Sequence, residues 1–206
     1  MKYVLCAFTL ALAGCASGPA APSWQLDSRS ALEGFTDAYL KGDSSTARSE
    51  FARARSETAA TGDPVAVAQV ELVRCAAQTA SLDIDACSGF TALAGDATPA
   101  QRAYADYLAG RWTGLNVALL PEAQRGVALT AIADPLSRLV AAGAALRAGT
   151  LTPQGIATAT DTASQQGWRR PLLAWLGVSI QRAEALGDDA EVARLRRRVA
   201  LAQPQV

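Results

Sequence analysis

The chain has 206 residues, half of them hydrophobic, with 19 basic and 19 acidic side chains and no histidine. That balance belongs to a folded protein rather than a disordered or nucleic-acid-binding one, and without an imidazole every mechanism that uses histidine as base, nucleophile partner or metal ligand is excluded. Alanine supplies 46 residues while aromatics make up only 6%, which favours helices packed closely on small side chains over a sheet of bulky ones.

Met1-Lys2 is a short positive segment, Tyr3 to Leu12 an apolar one, and Leu12-Ala13-Gly14-Cys15 a run of small residues closed by cysteine. This reads as an export signal, too short to remain as a spanning helix. Leu12, Ala13, Gly14 and Cys15 resemble the lipobox of bacterial lipoproteins. The resemblance implies that the Cys15 thiol receives a diacylglycerol, that residues 1–14 are cut away, and that the new α-amine is acylated as well. A secretory peptide cut near Ala13 or Ala16 is the plainer alternative. Two or three acyl chains hold a protein durably, at about 0.8 kcal/mol per buried methylene. Ala16 and Ser17 stand where inner-membrane members often carry aspartate, so the resemblance implies the periplasmic face of the outer membrane. Residues 15–27 read as a lipidated tether, of which Ala16 to Ser23 spans at most about 25 to 30 Å. Loss of Lys2 with the signal leaves one more acid than base, too neutral to imply a polyanionic partner; no nucleic acid is expected.

Residues 28–206 read as one all-α domain. Asp63-Pro64, Thr98-Pro99, Asp134-Pro135 and Thr152-Pro153 each set a capping oxygen before a proline suited to the first helical position. Ser30 with Glu33, Thr98 with Gln101 and Asp188 with Glu191 have capping-box spacing. Gly42, Gly62, Gly95 and Gly187, each followed by aspartate, read as a stop with the next cap behind it. The resulting prediction is helices near 28–41, 45–61, 64–80, 84–93, 98–110, 121–132, 135–148, 153–166, 170–186 and 189–202, with residues 110–120 the weakest stretch. Apolar positions at helical intervals support this, as in Val65, Ala68, Leu72 and Cys75, and no segment alternates as a strand would.

Short turns between such helices predict antiparallel hairpins. Tyr39, Gly42-Asp43, Ala47, Phe51 and Ala54 resemble part of a tetratricopeptide repeat, although no 34-residue period recurs. A degenerate tetratricopeptide-like array and an irregular helical bundle both remain open. After export Cys75 and Cys87 are the only thiols besides Cys15. Nearly equidistant from a turn at Ser81-Leu82-Asp83, they are expected to face each other across a hairpin and form one disulfide; two separate buried thiols are the alternative.

Residues that carry chemistry are few. Asp83 and Asp85 are read as caps of the following helix rather than a carboxylate pair, and Ser44 and Ser45 beside Lys41 as a cap rather than a serine–lysine dyad. Trp168-Arg169-Arg170-Pro171 sets two cations at a helix start, against the helix dipole. Arg169 and Arg170 must be paired with acids, stacked on an aromatic or reserved for an anionic ligand. Arg194, Arg196, Arg197 and Arg198 read as a solvated face. Tyr104, Tyr107 and Trp112 either fill a core or line a peptide groove. No catalytic residue, metal site or cofactor is expected. The functional expectation is a non-enzymatic lipoprotein, anchored at the outer membrane, whose body is a scaffold for another envelope protein. The rival is carriage or sensing of a small ligand, with Arg169 or Arg170 meeting an anion. A deep apolar pocket beside Trp168 would favour the rival, and a continuous concave face the scaffold.

Overall fold

A computed structural model of the chain describes residues 22–85, 87–126 and 128–203. Among them it shows nine α-helices and no strand: α1 Ser23–Lys41, α2 Ser44–Ala59, α3 Pro64–Ala80, α4 Ser88–Thr91, α5 Pro99–Leu108, α6 Pro135–Arg147, α7 Pro153–Gln165, α8 Arg169–Ala185 and α9 Asp189–Ala202. The export signal, Cys15 and the first part of the tether lie outside the described residues.

The predicted punctuation places most of these boundaries. Gly42 ends α1 in the left-handed region (φ 87°), and Asp43 at once caps α2, accepting from the amides of Ser45 and Thr46 at 3.1 and 3.0 Å. All four Asp/Thr-Pro pairs start helices, with the capping oxygen bonded to an amide of the first turn. Thr98 and Gln101 form the full reciprocal box. Asp188 accepts from the Glu191 amide, while the Glu191 carboxylate turns instead to Arg194.

Four expectations are corrected. Residues 23–27 belong to α1 rather than to the tether, because nothing between Pro22 and Ser28 breaks a helix; Ser30 consequently lies inside α1 and caps nothing. The helix expected near 84–93 is one turn, Ser88–Thr91: residues 83–85 are not helical, and Leu82 and Cys87 take left-handed φ values of 54° and 50°. Asp83 caps no helix; it accepts the Tyr39 hydroxyl at 2.8 Å. The helix expected near 121–132 is replaced by two 3-10 turns, Glu122–Gln124 and Leu129–Ala131, with left-handed Gly126 between them; a further 3-10 turn, Val117–Leu119, precedes them after left-handed Gly114. We call residues 111–126 and 128–132 the strap.

Helix α3 is the axis of the molecule, packed against α1, α2, α5 and α6. Alanines make this closeness possible: Ala68, Ala80, Ala142, Ala144, Ala159 and Ala163 are all fully buried in one cluster. At Gly143 a β-carbon would collide with the Thr79 carbonyl oxygen, so the α3–α6 approach requires glycine. Glu71, 2% exposed, is held by Arg55 at 2.9 Å and Arg74 at 2.8 Å, joining α2 to α3. In a solenoid each repeat touches only its neighbours. Here α8 folds back on the first half: the fully buried Trp175 donates to the Ala80 carbonyl at 3.0 Å, 95 residues away. The hairpins therefore close around α3 as an irregular bundle, and α9 covers the outer face of α8 through Leu176, Ala183, Val192 and Leu195.

Candidate binding trough

The strap crosses the ends of α5 and α6 and roofs an apolar cavity of about 340 Å³, walled by Tyr107, Trp112, Leu115, Leu120, Leu129 and Leu151. It is fastened by donors to its own carbonyls. Arg138 Nε reaches the Leu129 and Ile132 oxygens at 3.2 and 3.0 Å, and Arg125 Nε reaches Leu120 at 2.8 Å. The buried Gln124 donates to the Ser137 carbonyl at 3.4 Å. A second depression of about 440 Å³ lies between α3, α5 and α6, with Tyr104, Val73 and Val140 in its walls, and shares Leu120 and Gln124 with the first. A third, of about 380 Å³, lies on α1 between Leu32, Leu40, Val73 and Trp168 and shares Val73 with the second. The three follow one another across the bundle, each sharing wall residues with the next, and we call the series the trough.

Tyr104, Tyr107 and Trp112 are brought together as expected of neighbours on one helix and the turn after it. The tyrosine rings stack at 6.3 Å and 10°, and Tyr107 with Trp112 at 5.4 Å and 8°. The Trp112 indole donates to the Tyr107 carbonyl at 3.1 Å. Tyr107 is buried, yet all three rings border the trough, so core and groove are two sides of the same stack. Burial pushes the Tyr107 phenol up to about 12 and raises Tyr104, to which the Tyr107 charge adds.

Trp168 precedes α8 as its N-cap residue without a side-chain cap bond, and packs between the main core and the Phe35–Tyr39 cluster. Its depression is a shallow part of the trough rather than a deep pocket. Arg170 is engaged structurally: its guanidinium lies 4.3 Å above the Tyr39 ring, Nε donates to the Tyr39 carbonyl and Nη2 to Ser44 Oγ, both at 2.7 Å. It stacks on tyrosine, not tryptophan, and is not free for an anion. Arg169 lies against the Gly42 backbone. Burial first, and then the bond to Asp83, raise the Tyr39 phenol well above its usual range.

Cys75 on α3 and Cys87 just before α4 stand at disulfide distance, Cα atoms 5.6 Å apart. The pairing arises differently from the hairpin geometry expected: the chain turns at Leu82 and Cys87 lies in a loop, in the left-handed region, not on a facing helix. Among the described residues no three histidine, cysteine or carboxylate side chains converge to hold a metal, and no helix is long and apolar enough to cross a membrane.

Sequence reasoning does not find the strap residues Gln124 and Leu129, which fall in the helix expected near 121–132, or Leu120, which falls in the weak stretch before it. The available signal was Gly114 and Gly126 bracketing Pro121, with apolar residues at 115, 117, 119 and 120 off helical spacing. No protein-family model matches the chain, and no curated protein or solved structure matches it.

Proposed function

We propose that the protein is a lipoprotein anchored through acylated Cys15 at the periplasmic face of the outer membrane, and that its helical body is a non-catalytic scaffold whose trough receives apolar side chains of another envelope protein. The observation that carries the scaffold reading is the succession of three depressions that share wall residues, Leu120 and Gln124 between the first two and Val73 between the second and third. A run of adjoining apolar hollows fits a succession of side chains along a polypeptide better than one compact molecule. The address rests on the lipobox-like Leu12-Ala13-Gly14-Cys15, and a cysteine pair at disulfide distance fits the oxidising compartment to which that signal leads.

Val117 and Leu119, 53% and 37% exposed at the trough's edge, are the reporter positions. A photoreactive residue at either should capture one and the same envelope protein in living cells, while the same residue at the exposed Arg197 on α9 should not. Equal capture from Arg197, or none from the trough, would remove the scaffold reading.

A further inference from the structure

A fourth cavity, of about 370 Å³, lies apart from the trough between α4, α5 and the end of α6. Its floor is apolar, made by the buried Phe90 and Ala105 with Ala94 and Ala109. Its rim carries Asp85, Arg102, Asp106, Arg111 and Arg147. Two of these charges cancel: Arg111 holds Asp106 Oδ1 through Nε at 3.0 Å and Nη2 at 2.6 Å. Arg102 is fixed by backbone carbonyls, those of Ala97 and Ala94, and meets no carboxylate. The guanidinium of Arg147, on the last turn of α6, makes no hydrogen bond or ion pair with any described residue, and neither does the carboxylate of Asp85, whose backbone N–H donates to Asp83. Two guanidiniums without an acid thus share one cavity with a single unengaged carboxylate, leaving it one positive charge in excess above an apolar floor. A cation at a helix C-terminus is favourable in itself, which accounts for Arg147 on that turn. It does not account for a second uncompensated guanidinium bordering the same hollow.

We propose that this cavity binds a small amphipathic oxyanion of single charge, such as an alkyl carboxylate, with Arg147 and Arg102 on the anionic group and the stem against Phe90. Guanidinium forks match the planar oxyanion. Asp85 sets the preference for one negative charge over two, because a dianion would bring the second charge toward a carboxylate.

The test is titration of the isotopically labelled protein with hexanoate, followed by nuclear magnetic resonance of backbone amides and arginine Nε–H groups, with hexanol as the uncharged comparison. Saturable shifts are expected at the Arg102 and Arg147 side chains and at Phe90 to Ala94, weakening as salt is added. Hexanol should bind at least about tenfold more weakly, the factor a charge-assisted bond supplies. Arg147→Gln should lose about tenfold in hexanoate affinity while the melting temperature falls by no more than about 4 °C, the effect of losing one favourable charge at a helix end. Asp85→Asn should tighten binding, a change opposite in sign to any loss of fold. Equal binding of hexanol, shifts confined to the trough, or an Arg147→Gln variant that binds hexanoate as before would each overturn the proposal.

Discussion

Arg170 begins α8, where the helix dipole disfavours a cation, and the fold compensates with contacts 126 and 131 residues away in sequence: Ser44 Oγ, the Tyr39 carbonyl and the Tyr39 ring. Tyr39 in turn reaches Asp83, so the start of α8, the α1–α2 turn and the end of α3 meet through one guanidinium and one phenol. Arg170→Gln is expected to cost about 1 to 3 kcal/mol, from a desolvated cation–π contact and two hydrogen bonds. Denaturant unfolding measures it, and a loss below about 0.5 kcal/mol would show the contacts to be incidental. The tyrosines give a second prediction at this scale. Tyr39, Tyr104 and Tyr107 all have phenols raised above the usual 10.0, Tyr107 to about 12. A group whose value is raised by folding favours the fold fully below its unfolded value and loses that contribution as pH rises through its folded one. Stability should hold to about pH 10 and fall between about 10 and 12. Ultraviolet absorbance of tyrosinate should show these phenols ionising only above the ordinary value or with unfolding; a step near pH 10 in the intact fold would contradict their burial. Of these residues the sequence exposes the need, two arginines at a helix start, but not the answer, because Tyr39 lies 131 positions away and no local spacing predicts that meeting.

Where helices start and stop was legible because capping is local chemistry. Asp63, Thr98, Asp134 and Thr152 each meet an amide within three residues, so the signal and its partner lie in the same few letters. The strap shows the limit of that reading. Pro121-Glu122-Ala123-Gln124 has the composition of a first helical turn, yet it closes only as a single 3-10 turn before left-handed Gly126, and strap carbonyls at Leu120, Leu129 and Ile132 accept from the Arg125 and Arg138 side chains. Those side-chain bonds follow no capping or helical spacing. The Cys75–Cys87 pair behaves similarly, foreseen as a pair from compartment and count but formed across a loop. A bridge of sequence separation 12 closes a small loop, and its reduction is expected to lower stability by about 3 kcal/mol. Thermal melting with and without reductant measures this; free thiols at both positions in non-reducing peptide mapping would contradict the bridge.

At the scale of the whole molecule, the bundle is closed by Trp175 against Ala80 and by Arg170 against Tyr39, contacts that a string of independent hairpins would lack. All-α architecture followed from composition and periodicity. Closure did not, because a partial tetratricopeptide resemblance at residues 39–54 describes one hairpin and is silent on how the last hairpins return to the first. The trough exists only because of that return and of the strap, which is why its aromatic stack was legible as a cluster while its continuity was not. The proposed function joins the trough to an address, and the proposed address depends on Cys15. The decisive measurement is the mass of the N-terminal fragment of the protein isolated from its native membrane. The account requires a chain that begins at Cys15 and carries acyl chains on that residue; a fragment that begins at Met1, or at Ala16 without lipid, would contradict it.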